Sequence, residues 1–134
     1  MLNKKIMLNE LSKQAYQNAK DKGFYESQIE MGTRLALIHS EVSEALEADR
    51  KNKFASKDRN LQDMDISDLS DVQTKLYFRQ EFEVSIKDTF EDELADIMIR
   101  VMDLAAFKGI DLEYHIKMKM AYNSTRDYKH GKSY

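Results

Sequence analysis

The sequence predicts an all-α fold, a helical bundle of about four main helices. Three observations carry that expectation. Its 134 residues contain no proline and only four glycines, so helix breakers are nearly absent. Apolar residues recur at three- and four-residue spacing over long stretches. Stop and start signals, Gly23, Gly109 and Asp111, stand where those stretches end or begin. A first helix is expected over about residues 5–22, with Leu8, Leu11, Ala15 and Ala19 on one face. A second runs over about 29–51, where Leu35, Leu37, Ile38, Val42, Ala45, Leu46 and Ala48 form a wide apolar side. Residues 52–69 are polar and Asp-rich and read as a loop. A short helix over about 70–81 carries Val72, Leu76 and Tyr77, and Phe82, Val84 and Ile86 then alternate as in a strand too short to imply a sheet. A third main helix covers about 89–108, and a fourth, capped by Asp111, about 112–127. The tail from Tyr128 to Tyr134 is polar and reads as flexible.

Length and composition bound the function. The chain has the size of one domain, and no repeat or low-complexity tract divides it. It has no cysteine, which removes disulfides, thiolate clusters and cysteine nucleophiles and fits a cytoplasmic setting. No stretch approaches a membrane span of roughly 20 apolar residues. The opening Met1-Leu2-Asn3-Lys4-Lys5 is not followed by a signal-peptide pattern. A net charge of -3 offers no basic field for nucleic acid.

Two acidic pairs stand out, Glu41-x-x-Glu44 and Glu93-x-x-Asp96. Spacing of i,i+3 puts both carboxylates of a pair on one helix face. Glu41 has Leu37, Ile38, Ala45 and Ala48 as helical neighbours, so it sits among apolar residues, whereas Glu47 lies further round the cylinder near Arg50 and Lys51. From Leu94 to Phe107, eleven of fourteen residues are apolar; the exceptions Asp96, Arg100 and Asp103 line up with Glu93 as one charged stripe. That pattern calls for a mostly buried helix whose stripe faces water or an internal polar site. Four carboxylates brought together by two packed helices repel unless a cation lies between them, and hard cations such as Mg²⁺ and Mn²⁺ take such oxygen ligands. A solvated stripe is the plainer alternative. Di-iron bundles need Glu-x-x-His pairs, and no histidine here follows a Glu at that spacing. The 52–71 segment lacks the Gly and Glu placement of an EF-hand.

Near the C-terminus, Lys119, Asn123 and Arg126 fall at i, i+4 and i+7, with Lys129 and Lys132 following. A basic edge of this kind suits phosphate groups, although cations also favour a helix C-terminus for electrostatic reasons alone. Tyr16, Phe24, Tyr25 and Phe54 are candidates for stacking on a base, and His39 for touching substrate; aromatic residues are more often core, and His39 more often a surface group.

The stretch Leu35-Ala-Leu-Ile-His-Ser-Glu-Val-Ser-Glu-Ala-Leu-Glu-Ala-Asp-Arg50 resembles the first motif of the MazG-like nucleotide pyrophosphohydrolases. Phe90-Glu-Asp-Glu-Leu-Ala-Asp-Ile-Met-Ile-Arg-Val-Met-Asp-Leu-Ala105 resembles the second. Gly109-Ile-Asp-Leu-Glu113, the Lys119, Asn123, Arg126 set and Gly23-Phe24 extend the likeness to most of the chain outside about residues 52–87. The resemblance implies one domain over residues 1–134 with an all-α NTP pyrophosphatase fold. It implies Mg²⁺-dependent cleavage of a nucleoside triphosphate to a monophosphate and pyrophosphate, with Mn²⁺ as a possible substitute. It carries metal ligation to Glu41, Glu44, Glu93 and Asp96, and phosphate contacts to Lys119, Asn123 and Arg126. It also implies a homodimer or a dimer of dimers. Forty-eight residues separate Glu44 from Glu93, longer than the usual spacer, so 52–87 reads as an insertion that caps the site, reshapes base selection or joins an interface.

On that basis a water attacks the α–β linkage, with Glu41 or Glu44 orienting or deprotonating it, and Arg100 and Asp103 hold the metal ligands in place. The alternative class is a non-catalytic nucleotide-sensing or helical dimerisation module.

Overall fold

A computed structural model describes residues 7–131 and Ser133. Five α-helices follow one another: α1 (Leu8–Asp21), α2 (Met31–Arg50), α3 (Val72–Ser85), α4 (Phe90–Phe107) and α5 (Leu112–Ser124). Short 3-10 turns lie at Ile66–Asp68 and Tyr128–Gly131, and no strand occurs among the described residues. The fold is all-α.

Local chemistry sets the helix ends. Gly23 and Gly109 adopt positive φ, +84° and +67°. Around each, two amides return to the closing turn: Gly23 N to the Lys20 carbonyl and Phe24 N to Ala19, then Gly109 N to Ala106 and Ile110 N to Ala105. This is the Schellman pattern, and it satisfies carbonyls that the helix itself leaves open. Asn52, at φ +53°, closes α2 in the same way, with Lys53 N donating to the Ala48 carbonyl. Asp111 caps α5 by accepting from the Tyr114 amide at 3.0 Å. Asp71 caps α3 through the Thr74 amide at 2.9 Å, and the Thr74 hydroxyl and amide hold its carboxyl below the usual range.

The chain forms two compact units. One gathers α1, the C-terminal part of α4 and α5. Met102 and Ala105 are buried there, as is Ser12. Tyr16, Tyr25 and Phe107 form an aromatic trio, with Tyr16 and Tyr25 edge to face at 4.8 Å and Tyr25 to Phe107 at 5.1 Å. The other unit, Met31–Met98, gathers α2, α3 and the start of α4. Its buried residues are Glu41, Ala45, Ala48, Thr89 and Glu93. The connection after α2 is tied down rather than loose: Phe90 N donates to the Lys53 carbonyl, Ala55 N to Glu91 Oε2, and Ser56 N to the Ser85 carbonyl. Phe54 packs edge to face on Phe90 at 5.9 Å.

Some expectations need correction. Phe82 and Val84 belong to α3, and Ile86 caps it, so their alternation is not a strand. The Ile86 and Lys87 amides both return to the Phe82 carbonyl, which closes a helix instead. Helix α5 stops at Ser124, because the Thr125 and Arg126 amides turn back to Tyr122 and Asn123; Arg126 therefore lies beyond the helix rather than on its face. Tyr128–Gly131 forms a turn, while Lys132 and Tyr134 lie outside the described residues. Helix α4 is less buried than its apolar content suggests: Leu94, Met98, Ile99 and Phe107 are exposed, as are Leu35, Leu37, Val42 and Leu46 on α2.

Gly109→Ala tests the closing turn of α4. A Cβ there meets no atom within 4 Å, so only the backbone opposes it. The substitution should cost about 1 kcal/mol in a urea melt, and Gly109→Asn less.

Candidate metal centre

Helix α2 places Glu41, Ala45 and Ala48 at i, i+4 and i+7, and all three are buried. The small alanines permit close approach of a neighbouring helix along that line. On α4, Glu93 and Asp96 are one turn apart, and Glu93 is buried while Asp96 is half-buried. One carboxylate oxygen from each of Glu41, Glu93 and Asp96 lies within 4.8 Å of the others. Glu41 is 7% exposed and Glu93 8%. An ion with ligands at about 2.1–2.4 Å spaces its oxygens up to about 4–5 Å apart, so the three residues fit a hard divalent cation.

The electrostatics of the cluster agree with that fit. Burial pushes the Glu93 carboxyl above its ordinary 4.5, and the charges of Glu44, Asp96, Asp92 and Glu41 push it further the same way. A positive ion among these groups would reverse each of the charge effects. Glu44 is exposed and stands outside the set of three, yet its charge is the largest carboxylate influence on Glu93.

A second acidic set, Asp88, Asp92 and Glu93, shares Glu93 with the first. The sequence reading passed over Asp88 and Asp92, whose i,i+4 spacing beside Glu93 was the available signal. Both have a local task. Asp92 accepts from the Asp88 amide at 2.9 Å, and the Asp92 amide donates to Thr89 Oγ1 at 3.3 Å. Acidic side chains at a helix N-terminus are favoured by its dipole, which accounts for their presence without an ion.

Arg100, Asp103, Lys119, Asn123 and Arg126 belong to the other unit. Asp103 accepts from the Tyr25 hydroxyl at 2.8 Å, which ties it to the aromatic trio, and Arg100 is half-buried on α4. Lys119 Nζ lies 5.1 Å from the centre of the Tyr122 ring, and the Arg126 guanidinium 5.8 Å from the same centre. Two cations thus share one aromatic face or edge region. Asn123 lies between them in sequence, with Oδ1 enclosed and without a hydrogen-bond partner among the described residues. Among the aromatic candidates, Tyr16, Tyr25 and Phe54 are engaged in ring packing, whereas Phe24 and His39 are exposed.

The raised Glu93 pKa has a thermodynamic consequence with a definite sign. The folded state holds this proton more tightly than the unfolded chain, so unfolding free energy falls as pH rises from about 4.5 through the folded-state value. Without divalent cation, Glu93→Gln should therefore melt at a higher temperature than the parent near neutral pH. The difference should shrink as pH is lowered toward 4.5. A thermal melt series from pH 4.5 to 8 in chelator checks it.

Comparison with known protein families, with curated proteins and with solved structures finds no match to this chain.

Proposed function

We propose that this protein is a divalent-cation-dependent nucleoside triphosphate pyrophosphohydrolase, releasing a monophosphate and pyrophosphate. The observation that carries the reading is the convergence of Glu41, Glu93 and Asp96, two of them buried, from the two helices whose sequences resemble the MazG-like motifs.

In this reading Glu41, Glu93 and Asp96 hold Mg²⁺, for which Mn²⁺ substitutes. Bound there, the cation supplies neutralisation of phosphate charge and polarisation of water. Glu44, exposed at the edge of the set, or Glu41 orients the attacking water and takes its proton. The water oxygen forms a bond to phosphorus at the α–β linkage, the bridging P–O bond breaks, and pyrophosphate leaves with the bond electrons. Lys119, Asn123 and Arg126 bind the phosphates: the cations offset their charge, and Asn123 donates from its side-chain Nδ2. Asp103, held by Tyr25, and Arg100 keep the charged stripe of α4 in register.

The same reading includes a homodimer or a dimer of dimers. Its support is the exposed apolar line of Leu35, Val42 and Leu46 on α2, at i, i+7 and i+11, which is the seam a second helix would cover. Among the described residues, no helix is long and apolar enough to cross a membrane. Nothing in the net charge of -3 favours nucleic acid as partner.

Incubation with a panel of ribo- and deoxyribonucleoside triphosphates should give Mg²⁺-dependent release of monophosphate and pyrophosphate together. Glu41→Gln and Asp96→Asn should each lower turnover by at least about a hundredfold while leaving the helical circular dichroism unchanged. Glu47→Gln should stay within about twofold, because Glu47 is engaged in an exposed ion pair with Lys51 at 2.7 Å. Tight nucleotide binding without release of pyrophosphate would instead mark a nucleotide-sensing module.

A further inference from the structure

The unit formed by α1, the end of α4 and α5 holds a groove of about 470 Å³, lined by none of the residues of the carboxylate set. Ser12, at 3% exposure, lies among its lining residues. The Ser12 Oγ is enclosed and has no hydrogen-bond partner among the described residues. A buried hydroxyl without a partner is costly, and such groups are commonly met by a ligand or a water.

The character of the walls narrows the ligand. Asp111 contributes a carboxylate. Asn9 Nδ2 donates to its Oδ1 at 2.7 Å, while Asn9 Oδ1 accepts from the Glu113 amide at 3.2 Å, so this end of the groove is rigid. The Asn9 hydrogen bond, followed by that from the Tyr114 amide, holds the Asp111 carboxyl below the usual range and therefore charged. Gln17 donates its amide to Asp21 at 2.7 Å, which leaves its carbonyl oxygen as an acceptor. Ala106 and Gly109 belong to the closing turn of α4, the negative end of the helix dipole. The Tyr16 ring already carries one ammonium, Lys20 Nζ, at 4.6 Å from its centre. The Asp111 carboxylate and the Gln17 carbonyl oxygen favour a positively charged donor. Lys13 is the one cation among the lining residues.

We propose that this groove binds a small molecule through a primary ammonium group, which meets Asp111, with Ser12 Oγ as a further hydrogen-bond partner. Two sources share that chemistry. A diamine would present only ammonium groups, whereas an amino acid would add a carboxylate for Lys13.

Calorimetric titration of the intact protein with 1,4-diaminobutane, with glycine and with inorganic phosphate tests the proposal. At least one of the two amines should bind saturably. Asp111→Asn, which keeps a capping side chain at the α5 start, should weaken that binding about tenfold or more. Lys13→Gln separates the sources: it should weaken glycine and leave diaminobutane unchanged or tighter. Ser12→Ala should weaken the amine less than Asp111→Asn does, and should raise the melting temperature of the free protein. The proposal is overturned if neither amine binds, if Asp111→Asn leaves binding unchanged, or if phosphate binds in a manner lost in Lys13→Gln. A fall in melting temperature for Ser12→Ala would likewise overturn it, because the hydroxyl would then have a partner.

Discussion

Like charge held at close range is the constraint around which the α2–α3–α4 unit is arranged. Glu41, Glu93 and Asp96 approach within 4.8 Å, and burial strengthens their repulsion. The backbone that carries them is also held by its neighbours. Two sets of contacts do so. Ala45 and Ala48 continue the Glu41 stripe with small buried side chains, so α2 offers no bulk to hold a neighbour away. The start of α4 is tied back to the chain that follows α2, through the Lys53 carbonyl and the Ala55 amide. Glu93 is thus positioned through backbone groups of Lys53 and Ala55 that hold Phe90 and Glu91 at the start of α4.

The segment between the two acidic pairs gains a structural meaning from those ties. Its first part, Lys53 to Ser56, hydrogen-bonds to the residues that end α3 and begin α4. Its aspartates are largely caps: Asp65 accepts from the Ser67 amide at 2.7 Å, and Asp71 holds the first turn of α3. Polar loops commonly satisfy their own backbone this way. An Asp-rich stretch that resembles ligand chemistry in the sequence is here spent on turns and helix starts.

Burial is thin in the chain taken by itself. Among the described residues the buried apolar ones are Ala45, Ala48, Met102 and Ala105, whereas Leu35, Val42 and Leu46 on α2 and Leu94 and Met98 on α4 are exposed. Large apolar side chains at helical spacing contribute most when another surface excludes water from them, at about 25 cal/mol per Å². The proposed association of copies and the outward apolar stripes are therefore linked. The inner face of α2 carries the carboxylate and small residues, and its outer face carries the bulk.

The all-α class was legible from the near absence of helix breakers, and the helix ends from Gly23, Gly109 and Asp111, because these act through neighbours in the chain. The place of Glu41 on the apolar side of its helix, and of Glu93 and Asp96 in a charged stripe, was legible too, since periodicity alone assigns a face. What periodicity does not encode is which apolar face a neighbour covers, so α2 and α4 read as more buried than they are. Nor does it encode distance between helices. The convergence of three carboxylates, the exposure of Glu44 and the pairing of Asp103 with Tyr25 were decided by tertiary packing. Ser12 shows the same limit: its place beside Leu8 and Ala15 on the apolar face of α1 assigns a side of the helix but not what covers it. Only the packing of residues about a hundred positions apart encloses it.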